Sequence, residues 1–251
     1  MKAIVILKPV EYNLETTGEK WRQGEKIIGI LKVRNNSSEA VVLPVLKITL
    51  NSGNYKKIKA KDNKAWEVLA GNQLGENISL KGGEEKNFNW EFKLSEDCRI
   101  TDKDGSVYLR FLNDNEDLPA GNIELNIEPK IVMIQFLEIF DNFLRFKIGP
   151  KKYSKGMVEI KLTPPNSREL SSVESLVLKM SEVENSLKLD YTFNTRTLEM
   201  NGSTMSAEKG VKHFEQTLSA KQYYSYGSPD QDFIISSINS ILSQVKPKMM
   251  S

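Results

Sequence analysis

Residues 88–94 read FNWEFKL, which puts Phe88, Trp90, Phe92 and Leu94 on every second position with a polar or charged residue between each pair. Only an extended strand with one buried face satisfies that alternation, because on a helix the same four residues would point in different directions. The period recurs at Lys26–Val33 (KIIGILKV), where Ile27, Gly29, Leu31 and Val33 form the more apolar face. Residues 2–10, Ala40–Leu50, Ile78–Leu80, Val107–Leu112 and Asn122–Ile127 read as further strands, with turn-forming residues between them. Pro9 and Pro44 cannot donate to a ladder; Pro9 predicts an edge or a bulge, and Pro44 a bulge or a switch between sheets. Between the strands, NYKKIKAKDNKAW reads as a basic loop and AGNQLGEN as a turn-rich stretch. Seven or eight short strands with regular turn signals predict an antiparallel β-sandwich over residues 1–128.

Beyond Pro129 the pattern changes. Ile131–Phe140 reads as a short helix, and Phe143–Ile148, Met157–Thr163, Leu176–Met180 and Ser186–Thr195 read as strands. Glu184-Asn185-Ser186 marks a hairpin turn. Glu208–Leu218 is expected to be helical. So is the segment after Ser228, where Ser228 can cap, Pro229 suits the first helical position, and Asp230 and Asp232 suit the positive N-terminal end. Ile234, Ile238, Ile241 and Val245 then follow helical spacing until Pro247. The expected fold is therefore mainly β: an immunoglobulin-like sandwich at 1–128, then a smaller α+β region at 129–251 that ends in helices.

Composition narrows the chemistry. The chain has 35 basic and 33 acidic residues, a balance that does not suit a dedicated nucleic-acid binder. Its single cysteine, Cys98, excludes an internal disulfide and points to a reducing compartment. No stretch approaches the roughly 18 uninterrupted apolar residues of a spanning helix, and the N-terminus lacks a signal-peptide pattern. A cytoplasmic location is expected. The only histidine, His213, has no serine or cysteine motif nearby, which argues against Ser-His or Cys-His catalysis and predicts a surface histidine. No Gly-Lys-Ser/Thr phosphate loop occurs.

One motif goes further. Gly24-Glu25, Gly29, Leu31, Val33 and Asn35 form a Gly-Glu turn followed by an apolar-Gly-apolar strand that ends at Asn. Gly83-Glu84 precedes the aromatic strand in the same way, and Gly105-Ser106-Val107-Tyr108 follows at a suitable distance. This arrangement resembles the arrestin-like superfamily, including its bacterial and archaeal sporulation-control group and the arrestin-like subunit of retromer. The resemblance covers residues 1–128. It implies an arrestin-like sandwich and a non-enzymatic role in binding other proteins. The second half departs from it, since arrestins carry two similar sandwiches and this chain ends in helices.

Three function classes follow. The first is an adaptor or scaffold that binds protein partners along sheet edges, with Ala3, Val5 and Leu7 and then Val41, Leu43 and Val45 as the candidate edge residues. It needs no cofactor, and self-association through the C-terminal helix belongs with it. The second is a metal-dependent ligand-binding module or enzyme that uses Asp102, Asp104, Asp114, Glu116 and Asp117 of two acidic loops around Ca²⁺. The third is an accessory protein on an anionic membrane or nucleic acid, through Arg145, Lys147, Lys151, Lys152 and Lys155 or through the lysines of 56–64.

Overall fold

The computed structural model describes residues 1–113, 121–201, 204–225 and 228–245, with backbone alone at Pro44, Leu112, Asn113, 197–201 and 204–207. The chain forms two compact units, Met1–Glu128 and Pro129–Ser251.

The first unit contains β1 (Lys2–Leu7), β2 (Val10–Thr16), β3 (Lys20–Arg22), β4 (Lys26–Asn35), β5 (Val41–Asn54), a short helix α1 (Tyr55–Lys59), β6 (Trp66–Leu80), β7 (Glu85–Lys93), β8 (Gly105–Asn113) and β9 (Gly121–Glu128). One sheet has the order β1-β2-β4-β7 and the other β3-β9-β8-β5-β6. Every pair is antiparallel except β3 with β9. Alternation decides which face is buried. Val10, Tyr12 and Leu14 of β2 turn inward, as do Ile27, Leu31 and Val33 of β4 and Trp90 and Phe92 of β7; they meet Leu46, Ile48, Leu50, Val107, Leu109, Ile123 and Leu125 from the facing sheet.

Two features differ from the expectations. The first strand stops at Leu7; Lys8 and Pro9, joined by a cis bond, turn the chain, and β2 runs back beside it as a strand of its own. The stretch AGNQLGEN is not a loop: it lies within the fifteen-residue β6, held by pairing with β5 from Gly53↔Trp66 to Val41↔Leu80. A long ladder, kept up across irregularities at Leu46/Lys47 and Leu50/Asn51, outweighs the weak strand preference of Gly and Asn. At Gly29 the β4 register is unbroken on both sides, and the missing side chain lets the Glu15 backbone carbonyl and the Trp90 ring come close. The two Gly-Glu turns do use glycine's freedom, at Gly24 (φ 83°) and Gly83 (φ 71°).

The second unit contains α2 (Ile131–Asn142), β10 (Lys147–Ser154), β11 (Met157–Thr163), β12 (Val173–Val183), β13 (Ser186–Asn201), β14 (Thr204–Ser219), α3 (Ala220–Tyr223) and α4 (Gln231–Val245). These five strands form one antiparallel sheet in sequence order, and Tyr224–Ser225 pairs separately with Ser228–Pro229. One face is apolar, with Val158, Ile160, Leu162, Leu176, Leu178, Met180, Leu187, Leu189, Tyr191 and Phe193 all buried. The other carries Glu159, Lys161, Lys179, Lys188, Asp190 and Thr192. Helix α2 buries Val132, Met133, Phe136, Leu137, Ile139 and Phe140, with Phe140 edge-on to Phe146 at 5.3 Å. Glu184 and Asn185 both have positive φ (50° and 58°) in the two-residue β12–β13 hairpin turn.

The expected helix at Glu208–Leu218 is strand β14. Val211, Phe214 and Leu218 imitate helical spacing, but Phe214, Gln216 and Leu218 share a strand face opposite Tyr191, Leu189 and Leu187. The sixteen-residue ladder with β13 decides between the two. The expected strand at Phe143–Ile148 starts later: Phe143 closes α2 and the strand begins at Lys147. The last helix begins after Asp230, whose Oδ1 accepts a hydrogen bond from the Phe233 N–H at 2.9 Å, so the cap lies two residues beyond Ser228. Its face of Ile234, Ile238, Ile241, Leu242 and Val245 is 8% exposed or less. Helices α2 and α3 lie against α4.

Candidate functional site: an open strand edge

Strand β1 is an outer strand of its sheet. Met1 and Thr16 exchange hydrogen bonds, Thr16 N–H to the Met1 carbonyl and the Met1 amine to the Thr16 carbonyl, both at 3.0 Å. In an antiparallel ladder such pairs alternate. Ala3, Val5 and Leu7 therefore spend their backbone groups on Leu14, Tyr12 and Val10. The N–H and C=O groups of Lys2, Ile4 and Ile6 point the other way, and no strand among the described residues pairs with them. The same parity governs side chains. Ala3, Val5 and Leu7 are half-buried against the core, whereas Ile4 is 52% and Ile6 60% exposed. Of the candidate edge residues, these three thus supply the strand's anchorage, and Lys2, Ile4 and Ile6 supply its open surface. The signal that separates the two sets was present in Val10, Tyr12 and Leu14, whose alternation identifies the neighbouring strand and hence the inward parity.

Val41, Leu43 and Val45 lie in β5 and pair with Leu80, Ile78 and Glu76 of β6. On the other side β8 reaches β5 only from Leu46 onward, so among the described residues this stretch is paired along one side. Leu43 is buried, and Val41 and Val45 are half-buried.

The basic residues of the second unit are divided. Lys147 and Lys152 lie opposite Thr163 and Glu159 on the polar face, while Lys151 lies opposite Ile160 on the other; an irregularity between Ile148 and Lys151 separates them. Arg145 (φ 58°) and Lys155 (φ 50°) are exposed turn residues. In the first unit, Lys56, Lys57 and Lys59 sit on α1, capped by the Asn54 side chain.

Asp102 is committed to its own turn. Its Oδ1 accepts from the N–H groups of Asp104 (2.8 Å) and Gly105 (3.0 Å) and from Arg99 Nη2 (2.9 Å). Asp114, Glu116 and Asp117 lie outside the described residues. Among the described residues no group of three or more His, Cys, Asp or Glu side chains is arranged to hold a metal. His213 is exposed on β14, with Nδ1 3.1 Å from Thr192 Oγ1. Burial pushes the Cys98 thiol up to about 12, helped by Asp97 and Glu96, so it is no nucleophile at neutral pH.

An open groove of about 660 Å³ runs past Glu15, Thr17, Ile28, Ile30, Asn89 and Glu91. Both of its carboxylates are paired, Glu15 with Lys32 at 3.0 Å and Glu91 with Lys26 at 2.8 Å. The hydrogen bond and charge of Lys32 hold Glu15 below the usual carboxylate range, the opposite of what a general acid requires. No helix among the described residues is long and apolar enough to cross a membrane.

The sandwich and the layout of the chain define an arrestin-like fold. Among solved structures, the chain is similar to Spo0M, the sporulation control protein of Bacillus subtilis, with a TM-score of 0.64 over 95% of this chain and 99% of that one. The identity is 13%, so the likeness is one of fold. Partial matches include the alkylpurine DNA glycosylase AlkC of Pseudomonas fluorescens bound to DNA (TM-score 0.32, 18% identity, 47% of this chain and 30% of that one). A β-glucosidase of Listeria innocua matches at TM-score 0.28 and 17% identity, over 47% of this chain and 16% of that one. No family model and no curated protein matches the sequence.

Proposed function

We propose that the protein is a non-enzymatic cytoplasmic adaptor whose N-terminal sandwich takes up an extended segment of a protein partner as an additional strand along β1. One observation carries this reading: the outward backbone groups of Lys2, Ile4 and Ile6, flanked by exposed Ile4 and Ile6 side chains. Sheet edges are commonly guarded by a central charge, a proline or a bulge. Residues 3–7 (AIVIL) carry neither charge nor proline, and the register with β2 is unbroken from Lys2 to Leu7. Such an edge binds extended peptides through main-chain hydrogen bonds, with alternate side chains adding selectivity. The arrestin-like fold and the paired state of the groove carboxylates agree with a binding role.

Hydrogen exchange on the complex tests it. A partner captured by the wild-type chain is expected to slow exchange at the Ile4 and Ile6 amides and to be lost from an Ile4→Lys/Ile6→Lys variant whose melting temperature is unchanged. A captured protein that leaves both amides exchanging freely, or that binds the double variant equally well, overturns the reading. Protection that grows with the chain's own concentration, alongside a doubled mass in light scattering, would replace the partner with a second copy.

A further inference from the structure

The other sheet of the first unit carries a second surface, away from β1 in the strand order. Its register sets Gly53 opposite Trp66, Asn51 opposite Tyr108, Thr49 opposite Arg110, and Glu124 opposite Tyr108, so these residues share the outer face. Gly53 is the floor: a Cβ there would stand 2.7 Å from Tyr108 Cε2, 2.8 Å from Trp66 Cζ3 and 2.9 Å from Ile58 Cδ1. Trp66 and Tyr108 meet edge to face over it, with ring centroids 4.9 Å apart. Arg110 lies over the Trp66 ring, its Cζ 4.4 Å from the centroid. Tyr55 donates its hydroxyl proton to the Glu124 carboxylate.

Arg110 is the odd member. It is half-buried, its Nε is buried without a hydrogen-bond partner, and no carboxylate among the described residues lies within ion-pair distance of it. Arg22 and Arg99 each have an ion pair, with Glu25 and Asp102. Desolvating a cation without a counter-ion is costly, and the indole face compensates only in part. A guanidinium placed over an indole keeps the planar set of N–H donors that matches a carboxylate. Trp, Tyr and Arg are the residues enriched at interface hot spots, and Val68 beside them is 65% exposed.

We propose that Arg110, stacked on Trp66, is a docking point for a carboxylate side chain on an acidic segment of a protein partner. Charge balance selects a carboxylate over a phosphate. Glu124 stands in the same cluster and already offsets the charge of Arg110, so a phosphate dianion would be repelled more strongly than a single carboxylate. The assignment concerns a different sheet and is independent of the β1 reading.

The test is an NMR titration of the full chain at constant ionic strength, following the Arg110 Nε–H and Trp66 Nε1–H resonances. The probes are acetyl-Glu-Val-Glu-Val-amide, sodium acetate and inorganic phosphate. Saturable shifts with the peptide and with acetate are expected, phosphate binding more weakly. Arg110→Lys, which keeps the charge and loses the fork, is expected to weaken the peptide at least tenfold while its melting temperature stays within a few degrees. Arg110→Gln is expected to abolish saturation. Shifts that do not saturate, acetate binding without peptide binding, tighter binding of phosphate, or a Lys variant that binds as well as the wild type would each overturn the proposal.

Discussion

The Trp90 indole occupies the space that a side chain at position 29 would need: a Cβ on Gly29 would stand 2.8 Å from Trp90 Cε2 and overlap both Cζ2 and the Glu15 carbonyl oxygen. Gly29 and Trp90 are direct cross-strand partners of β4 and β7. The ring is 3% exposed, so it has nowhere to retreat without opening the core. Gly29→Ala is expected to destabilise the first unit by about 1–3 kcal/mol, the usual cost of overpacking. A urea titration followed by tryptophan fluorescence measures it, and Trp90→Ala should cost less in this background than in the wild type, because the two positions compete for one space.

The parity of β1 can be checked without a partner. Ile4→Pro removes an outward N–H, and its expected cost is below about 1 kcal/mol. Val5→Pro removes the donor to Tyr12 and leaves a carbonyl unpaired, for about 1–3 kcal/mol. In the free protein the Ile4 and Ile6 amides should exchange orders of magnitude faster than those of Val5 and Leu7.

Cys98 sets a pH dependence. Its folded-state pKa of about 12, against 9.0 for an ordinary thiol, means that the native state binds the thiol proton more tightly than the unfolded chain does. This contribution to stability is present in full below pH 9 and declines as pH rises toward 12. Ellman's reagent at pH 8 is expected to react only at the rate of unfolding, and stoichiometrically in denaturant.

Asp102 is an internal clasp. Its side chain is fully buried and bonded to two backbone amides and to Arg99. Asp102→Ala should cost about 2 kcal/mol or more, because it leaves these donors and a desolvated guanidinium without their acceptor. Calcium chloride is expected to leave the melting temperature of the wild-type chain unchanged.

Sequence alone carried the strand character of residues 26–33 and 88–94, the helix at 131–140 and the apolar face of α4. Each shows a full period of buried positions with turn residues or caps at its ends. Period fails where a neighbour decides. Residues 66–80, with Gly71 and Gly75 inside, become a strand because β5 runs alongside, and residues 204–219 because β13 does. The candidate sites were legible only as regions. KAIVIL marks an edge, but which half of its residues is open depends on pairing with β2. The Trp66–Arg110 cluster is assembled from strands far apart in the chain; its one local sign is a lone cation inside the otherwise uncharged run Val107–Leu112.

The two-residue rhythm of β1 also limits how finely a bound segment could be told apart from its relatives. A visiting strand would lay only every other side chain beside Ile4 and Ile6, and its main chain would contribute the same bonds whatever its composition. Discrimination would rest on two or three positions, so a family of loosely similar tails could share this berth in turn.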